Sequence, residues 1–242
     1  MTSLVIDQPA TYGPAVRVRI DGPARRNALT LEAVQQLNQF LLRDSHSTVL
    51  LGSTTNDIFS AGADLDADDD SRAALSDLLY VCYEHIVRRP GVVIAVVEGA
   101  AVGGGAQLSA AADIRVISSS ARWRWVGPGH GLAVGSWILP ELFGRARGLD
   151  LALSSRWMDA PEAVLAGFAA RIDSEPWNHA AEIVTRLTKA DRDAIARVKS
   201  ISTQPNILAQ LNQERTQNRA SWTGAAPTAR VAAADREPMN LP

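Results

Sequence analysis

Residues 92–108 read VVIAVVEGAAVGGGAQL, and this stretch determines the fold class. The run from Val92 to Val97 is apolar at every position, which predicts a strand buried on both faces of a sheet. The glycines at 103–105 predict a sharp turn, and the small side chains around them predict a helix over about 104–112. A buried strand that turns directly into a helix indicates an α/β core.

The same alternation of strands and helices extends outward from this stretch. Val16–Ile20 alternates in the pattern of a half-exposed strand, and Thr30 is a good N-cap for a helix that ends near Arg43. Further segments are predicted as a strand at 48–52, a helix at about 71–89 and a strand at 114–117. After Pro140 the pattern becomes mostly helical, with segments near 145–155, 160–166, 177–188, 190–200 and 206–219.

The composition fits one globular domain and excludes several classes of function. The chain has 242 residues, 46% of them hydrophobic, and a formal net charge of -2, so bulk electrostatics does not favour nucleic acid. Cys82 is the single cysteine, and no Cys/His cluster has the spacing of a zinc site. No membrane span or signal peptide is recognisable. We therefore expect a metal-free cytoplasmic protein, with a mobile or oligomer-contacting tail from Thr223.

Three stretches of this sequence carry a family resemblance. They are Arg25–Thr30, Phe59–Leu65 and Glu98–Leu108. Their order and spacing resemble the crotonase (enoyl-CoA hydratase/isomerase) family. The resemblance implies an α/β spiral of repeated β-β-α units over residues 1–175, which binds acyl-CoA. It also implies a helical region at 176–242 that covers the active site and assembles a homotrimer or a dimer of trimers.

The chemistry of a thioester explains the small residues in these stretches. A reaction beside the thioester carbonyl places negative charge on its oxygen, and two preplaced backbone N–H donors stabilise that enolate. Small residues permit the close approach, and a helix N-terminus adds a positive dipole end. The resemblance implies that Ala63 and Gly104 supply the two donors of this oxyanion hole. A simple strand-to-helix turn is the alternative for Gly104. A dinucleotide fingerprint is rejected, because Asp113 follows too soon and fits a structural role.

The resemblance also implies a coenzyme A site, with no permanently bound cofactor. Arg25 and Arg26 would hold the nucleotide phosphates, for which the guanidinium fork is well suited. The backbone lining the adenine and pantetheine path would come from Ala28, Ala61, Asp64 and Leu65. Solvated surface arginines are the alternative. Lys199, at another possible phosphate position, is predicted to be a surface lysine.

The two glutamates that hydratases of this family use are missing from their expected positions. Gln107 occupies the first position, and an amide cannot take and return a proton near neutral pH. Gly127 matches the second, and no carboxylate occurs between Asp113 and Glu141. His130, three residues beyond Gly127, is the best substitute acid or base, although a histidine that only packs is the alternative.

These observations leave two hypotheses open. In the first, the protein is an enzyme of the hydratase/isomerase superfamily that stabilises an enolate, with standard hydration disfavoured. In the second, it is a non-catalytic fatty acyl-CoA binding or shuttling protein that keeps the oxyanion hole as a thioester clamp. Three tryptophans near the missing glutamate would either line an acyl pocket or pack in the core; they are Trp123, Trp125 and Trp137.

Overall fold

The computed structural model describes residues 2–222. The strands of this part are β1 Ser3–Asp7, β2 Val16–Asp21, β3 Val49–Ser53, β4 Ile58–Ser60, β5 Val93–Val97, β6 Ala100–Val102, β7 Ile114–Ile117, β8 Arg122–Arg124 and β9 Met158–Asp159. The helices are α1 Leu31–Arg43, α2 Asp69–Arg88, α3 Gly104–Ala111, α4 Leu139–Ser154, α5 Ala160–Leu165, α6 Pro176–Leu187, α7 Arg192–Ser202 and α8 Pro205–Trp222.

The strands pair into two sheets that are wound together. The first has the order β1-β2-β3-β5-β7 and the second β4-β6-β8-β9. All pairs are parallel except β1 with β2 and β8 with β9. Three times, the chain adds a strand to the first sheet, then a strand to the second, then a helix: β3-β4-α2, β5-β6-α3 and β7-β8-α4. The repeated β-β-α unit that the sequence predicts is therefore present.

The position of strand β5 between two apolar clusters explains why its sequence is apolar at every position. Val93, Ala95 and Val97 pack into the main core. Ile94 and Val96 face the other way, into a second cluster that includes side chains of α6. Because successive side chains of a strand point to opposite faces, a strand between two apolar layers has no solvated side.

The C-terminal helices pack back onto this α/β core. Ala180 and Val184 of α6 belong to the second apolar cluster, behind the first sheet. Arg215 of α8 makes a bidentate ion pair with Asp77 of α2, and both N–O distances are 2.7 Å. Helix α8 is thereby held against α2. The change from α/β to helical structure near residue 140 is confirmed, whereas the predicted tail from Thr223 lies outside the described residues.

Most predicted boundaries agree with the structure, and the differences have local causes. Helix α2 begins two residues early because Asp68 is its N-cap and accepts a bond from the Ser71 N–H. Helix α4 begins at Leu139 and is interrupted at Gly144, which has φ 72°. The segment predicted from 145 is the part beyond that interruption. Strands β4, β6 and β8 were not predicted, because three residues are too few to show a period.

Two broader expectations concern membranes and metals. Among residues 2–222, no helix combines the length and the apolar character that crossing a bilayer requires. Over the same residues, no group of three His, Cys, Asp or Glu side chains is arranged to hold a metal ion.

Candidate functional site

A cavity of about 100 Å³ lies beside the turn that joins β6 to α3. Its walls come from the turn after β4, one face of α2, the loop after β8 and the end of α8. The predicted site residues on these walls are Ala61, Ala63, Leu65, Gly104, Gln107 and His130. No Asp or Glu lines the cavity in the described part of the chain. Residues far apart in sequence are thus brought together at one site.

Ala63 and Gly104, the predicted oxyanion-hole residues, lie on two turns that touch. A Cβ built on Gly62 would lie 3.5 Å from the Gly104 nitrogen and 2.8 Å from the Val102 oxygen. The first turn is fixed because Leu29 N–H donates to the Gly62 carbonyl and Asp64 N–H donates to the Leu29 carbonyl. Neither of these bonds uses the N–H group of Ala63.

Both N–H groups are available for a ligand. Within residues 2–222, neither the Ala63 N–H nor the Gly104 N–H donates to a protein acceptor. Gly104 is the first residue of α3, and the first N–H groups of a helix have no partner inside it. Both residues line the same cavity, so two backbone donors without a protein acceptor border one site.

Close packing explains the glycines at the start of α3. Gly103 has φ 50°, a left-handed conformation that favours glycine. A Cβ on Gly104 would lie 3.1 Å from the Leu79 side chain and 3.4 Å from the Tyr83 hydroxyl. A Cβ on Gly105 would lie 2.6 Å from that of Ser60. These glycines let the N-terminus of α3 lie against the cavity.

The residues predicted to bind coenzyme A lie in two segments, near 25–28 and 61–65, that are joined by backbone hydrogen bonds. Ala61 N–H donates to the Arg26 carbonyl at 3.0 Å, and Ala28 N–H donates to the Arg25 carbonyl at 3.0 Å. The guanidinium of Arg25 bonds Asp64 at 2.8 Å and also pairs with Asp66. Arg25 is therefore not a free surface arginine in this structure. A phosphate would share or replace these carboxylate partners.

Gln107 and Gly127, the two positions at which the sequence analysis expected the glutamates of the family, differ in their surroundings. Gln107 lines the cavity, but its Oε1 accepts bonds from Trp137 Nε1 at 2.7 Å and from Gly135 N–H at 3.2 Å. Gly127 lies beside the cavity rather than on its wall, and Val126 occupies the wall instead. A Cβ on Gly127 would lie 2.7 Å from the Leu132 oxygen. A side chain at position 127 would therefore meet the backbone of its own loop.

His130 ends a short 3-10 helix, Pro128–His130, and its side chain is on the cavity wall. The turn is fixed because His130 N–H donates to the Gly127 carbonyl at 2.8 Å. The location is compatible with the predicted acid or base role, which stays a prediction.

Four cavity-side residues were not identified from the sequence. Tyr80 and Tyr83 lie on α2, and Glu214 and Asn218 lie on α8. Tyr80 Oη donates to Glu214 at 2.7 Å and accepts from Asn218 Nδ2 at 2.7 Å. Tyr83 Oη donates to the Gly104 carbonyl at 3.2 Å. The helical spacing of Tyr80 and Tyr83 with Leu79 was visible in the sequence, but it is equally typical of core packing.

Glu214 is a buried carboxylate that ties α8 to the loop before α4. It accepts the N–H groups of Gly135 at 3.1 Å and Trp137 at 2.9 Å, besides the Tyr80 hydroxyl. Burial raises the pKa of Glu214, although these donors oppose the shift. Burial also raises the pKa of Tyr80 far above its ordinary value, so the phenol stays protonated.

The alternatives left open for the tryptophans and for Lys199 are resolved by burial. Trp123, Trp125 and Trp137 are each 0% exposed, and none of them lines the cavity. Core packing is therefore the correct interpretation. Lys199 is not a surface lysine: its ammonium bonds Asp113 at 2.8 Å and the carbonyls of Ile86 and Gly91. That prediction was wrong because the sequence does not reveal buried acceptors around a lysine on a late helix.

Comparisons with known proteins identify the family of the chain. A family model described as enoyl-CoA hydratase/isomerase matches residues 12–231. A curated protein of Mycobacterium tuberculosis, "Probable enoyl-CoA hydratase echA6", is 32% identical over 177 residues, which cover 69% of this chain and 71% of that protein. Another from the same species, "Probable enoyl-CoA hydratase EchA12", is 43% identical over 83 residues, or 33% of this chain and 29% of that protein.

Solved structures show the same fold at low sequence identity. An enoyl-CoA hydratase from Bacillus halodurans superposes with a TM-score of 0.84 and 21% identity, covering 95% of this chain and 99% of that one. A putative enoyl-CoA hydratase/isomerase from Bordetella parapertussis gives 0.82 and 22%, covering 95% and 96%. The fold class predicted from the sequence is confirmed.

Proposed function

This chain belongs to the enoyl-CoA hydratase/isomerase family, and we propose that it binds an acyl-CoA thioester and stabilises the thioester enolate through the N–H groups of Ala63 and Gly104. One observation carries the proposal. Two turns that touch each other bring two unpaired backbone donors to a single cavity. A thioester oxygen between them receives two hydrogen bonds, and it gains more from them as it becomes negatively charged.

The walls of the cavity disfavour standard hydration. Adding water to an enoyl thioester requires a group that takes a proton from the water and returns one to the α-carbon. No carboxylate lines the cavity within residues 2–222, and the Gln107 amide oxygen is already occupied by Trp137 and Gly135. His130 remains as the proposed acid or base of a different enolate reaction.

The second candidate is a non-catalytic protein that binds or shuttles fatty acyl-CoA. It is favoured by the fact that the Tyr80 hydroxyl on the cavity wall already has protein partners. Tyr80 is bonded to Glu214 and Asn218, and burial raises its pKa, which makes it a poor acid. In this case the two N–H donors act as a clamp on the thioester. Acyl-CoA binding is common to both candidates, whereas turnover belongs only to the first.

A pair of substitutions at Gly104 tests the role of its N–H group. Gly104→Pro removes the donor at the first position of a helix, where proline is tolerated. Gly104→Ala keeps the donor and adds a comparable Cβ, so it is the matched control. We expect Gly104→Pro to bind octanoyl-CoA about fivefold more weakly than Gly104→Ala by calorimetry, since a neutral hydrogen bond contributes about 1 kcal/mol.

Turnover separates the two candidates, and it is followed both as loss of crotonyl-CoA and as exchange of the α-protons of octanoyl-CoA with solvent deuterium, which reports enolate formation itself. If the protein is an enzyme, removing the donor reduces its turnover by about a hundredfold or more, and His130→Ala also abolishes it. If it is a carrier, the wild-type protein binds octanoyl-CoA without converting enoyl-CoA. Equal binding by the proline and alanine variants would contradict the oxyanion-hole assignment, and absence of any acyl-CoA binding would overturn the proposed function.

The resemblance also suggests how the protein is organised. We propose that residues 1–175 form the acyl-CoA-binding core and that residues 176–242 provide oligomer contacts and the cover of the site. Asn218 and Trp222 of α8 line the cavity, which supports the covering role. The homotrimer or dimer of trimers and the cytoplasmic location stay predictions.

A further inference from the structure

One end of the cavity carries a buried positive charge. Arg72 lies on α2, lines the cavity and has a side chain that is 5% exposed. Its Nη1 bonds Asp69 at 3.2 Å, and the Asp69 side chain is 39% exposed. Within the described chain, the other N–H groups of this guanidinium donate to no acceptor. A guanidinium that lines the cavity and has donors not used by the protein is well placed to bind an anionic group of a ligand there.

A second unused donor lies beside Arg72. The guanidinium carbon is 5.1 Å from the centre of the Trp222 ring, at the end of α8. The indole Nε1 of Trp222 is buried and has no acceptor among residues 2–222. Trp222 also lines the cavity. Two neighbouring side chains, one from each helix, thus offer N–H groups that the protein itself does not satisfy.

This charged end is separated from the proposed oxyanion hole by the length of an acyl chain. Leu79 and Tyr83 approach Gly104 from α2. Arg72 is seven residues before Leu79 on the same helix, which corresponds to about 10 Å along the helix axis. A group held by Arg72 is therefore remote from the thioester carbon. It belongs at the far end of the acyl chain.

We propose that the acyl group of the ligand ends in a carboxylate, which Arg72 and Trp222 bind at the end of the cavity opposite Ala63 and Gly104. An ω-carboxyacyl thioester supplies the acceptor that both side chains lack, and a guanidinium binds a carboxylate by two parallel bonds. Asp69 is the protein carboxylate that pairs with Arg72, at 3.2 Å and from outside the cavity lining, so the cavity side of the guanidinium is left to the ligand. The inference rests on the proposed function, because it assumes that the thioester is bound at the other end.

Calorimetry with matched thioesters tests the inference on the unmodified protein. The probes are suberyl-CoA and octanoyl-CoA, which have chains of equal length and differ by the terminal carboxylate. We expect suberyl-CoA to bind about tenfold more tightly, as a charge-assisted bond provides. Tighter binding of octanoyl-CoA would overturn the inference while leaving the proposed function intact. Binding of neither thioester would overturn both.

Three variants then assign the preference to its residues. Arg72→Gln is expected to weaken suberyl-CoA binding about tenfold and to change octanoyl-CoA binding by less than about twofold. Trp222→Phe, which removes the N–H group and keeps a smaller aromatic ring, should weaken suberyl-CoA alone by several-fold. Arg88→Gln is the matched control, because Arg88 lies on the same helix and pairs with Glu84 instead. It should change neither affinity.

Free coenzyme A distinguishes a carboxylate site from a phosphate site. If Arg72 contacted the phosphates of the nucleotide, Arg72→Gln would weaken free coenzyme A and both thioesters by the same factor, and the inference would be wrong. Unchanged affinity for free coenzyme A, together with selective loss of suberyl-CoA, is the expected result.

Discussion

The buried carboxylate of Glu214 explains why position 107 carries a neutral amide. Gly135 N–H donates to Gln107 Oε1 at 3.2 Å and to Glu214 Oε1 at 3.1 Å, so the two side chains share one donor. Two carboxylates at these positions would repel each other in a buried site, and one of them would have a strongly raised pKa. Around the Gly135 N–H, behind the cavity wall, α8 supplies a carboxylate and α3 supplies a neutral amide.

Exchanging the two side chains tests this coupling. Gln107→Glu alone is expected to lower the free energy of unfolding at pH 7 by about 2 kcal/mol, because it adds an unpaired buried charge. Gln107→Glu combined with Glu214→Gln restores one carboxylate and one amide, so about half of the loss or more should be recovered. Urea unfolding of the wild type, of the two single variants Gln107→Glu and Glu214→Gln, and of the double variant measures both effects. Strictly additive losses would contradict the coupling.

Helix α8 completes the cavity from the far end of the chain. It contributes Asn218 and Trp222 to the walls and is fastened to α2 by the ion pairs of Arg215 and Arg219 with Asp77. The hydrogen bonds from Arg215 and Arg219 lower the pKa of Asp77, although burial opposes the shift. A carboxyl with a lowered folded-state pKa stabilises the fold above its unfolded value, 3.8 for aspartate, and loses that contribution as the pH falls through the folded-state pKa.

Hydrogen exchange of α8 should therefore respond to this one carboxylate. Asp77→Asn is expected to speed amide exchange in α8 peptides several-fold at neutral pH, because the helix loses both partners. Acidification below pH 3.8 should speed exchange of the wild-type helix toward that of the variant, after correction for the intrinsic rate. Asp70→Asn, an exposed change on the same helix, is the control. If both variants behaved like the wild type, these ion pairs would not fasten α8.

At the scale of the whole molecule, an ion pair in the interior connects the C-terminal helices to the α/β core. Lys199 of α7 bonds Asp113 at 2.8 Å, and Asp113 accepts the Val93 N–H at 2.7 Å. Burial lowers the pKa of Lys199 and raises that of Asp113, and the attraction between the two charges opposes both shifts. This pair joins a late helix to strand β5 in the middle of the sheet.

Removing one member of this pair should cost more than removing both. Lys199→Met leaves the Asp113 carboxylate unpaired and is expected to lower the free energy of unfolding by about 3 kcal/mol. Adding Asp113→Asn keeps an acceptor for Val93 and removes the charge, so the double variant should be more stable than Lys199→Met. Chemical denaturation of the two variants and the wild type decides the point. A double variant that is the less stable of the two would show that the pairing is unimportant.

The sequence by itself determined the family and the order of the elements. The apolar run of β5 and the glycines at 103–105 are local signals, since they follow from which side chains a buried strand and a tight turn accept. The same holds for Ala63 and Gly104, whose motifs stand in short, continuous stretches. The absence of a carboxylate between Asp113 and Glu141 can also be read directly from the sequence, and the prediction that standard hydration is disfavoured depends on it.

Only the tertiary structure decided what surrounds those motifs. No local pattern distinguishes Arg72, Glu214 and Trp222 from surface residues. For Lys199, the sequence analysis predicted a surface position. Their burial arises because α7 and α8 fold back over 100 residues of chain onto α2 and the first sheet. Burial and pairing depend on contacts between distant segments. Local periodicity contains no information about which partner a charged side chain will meet.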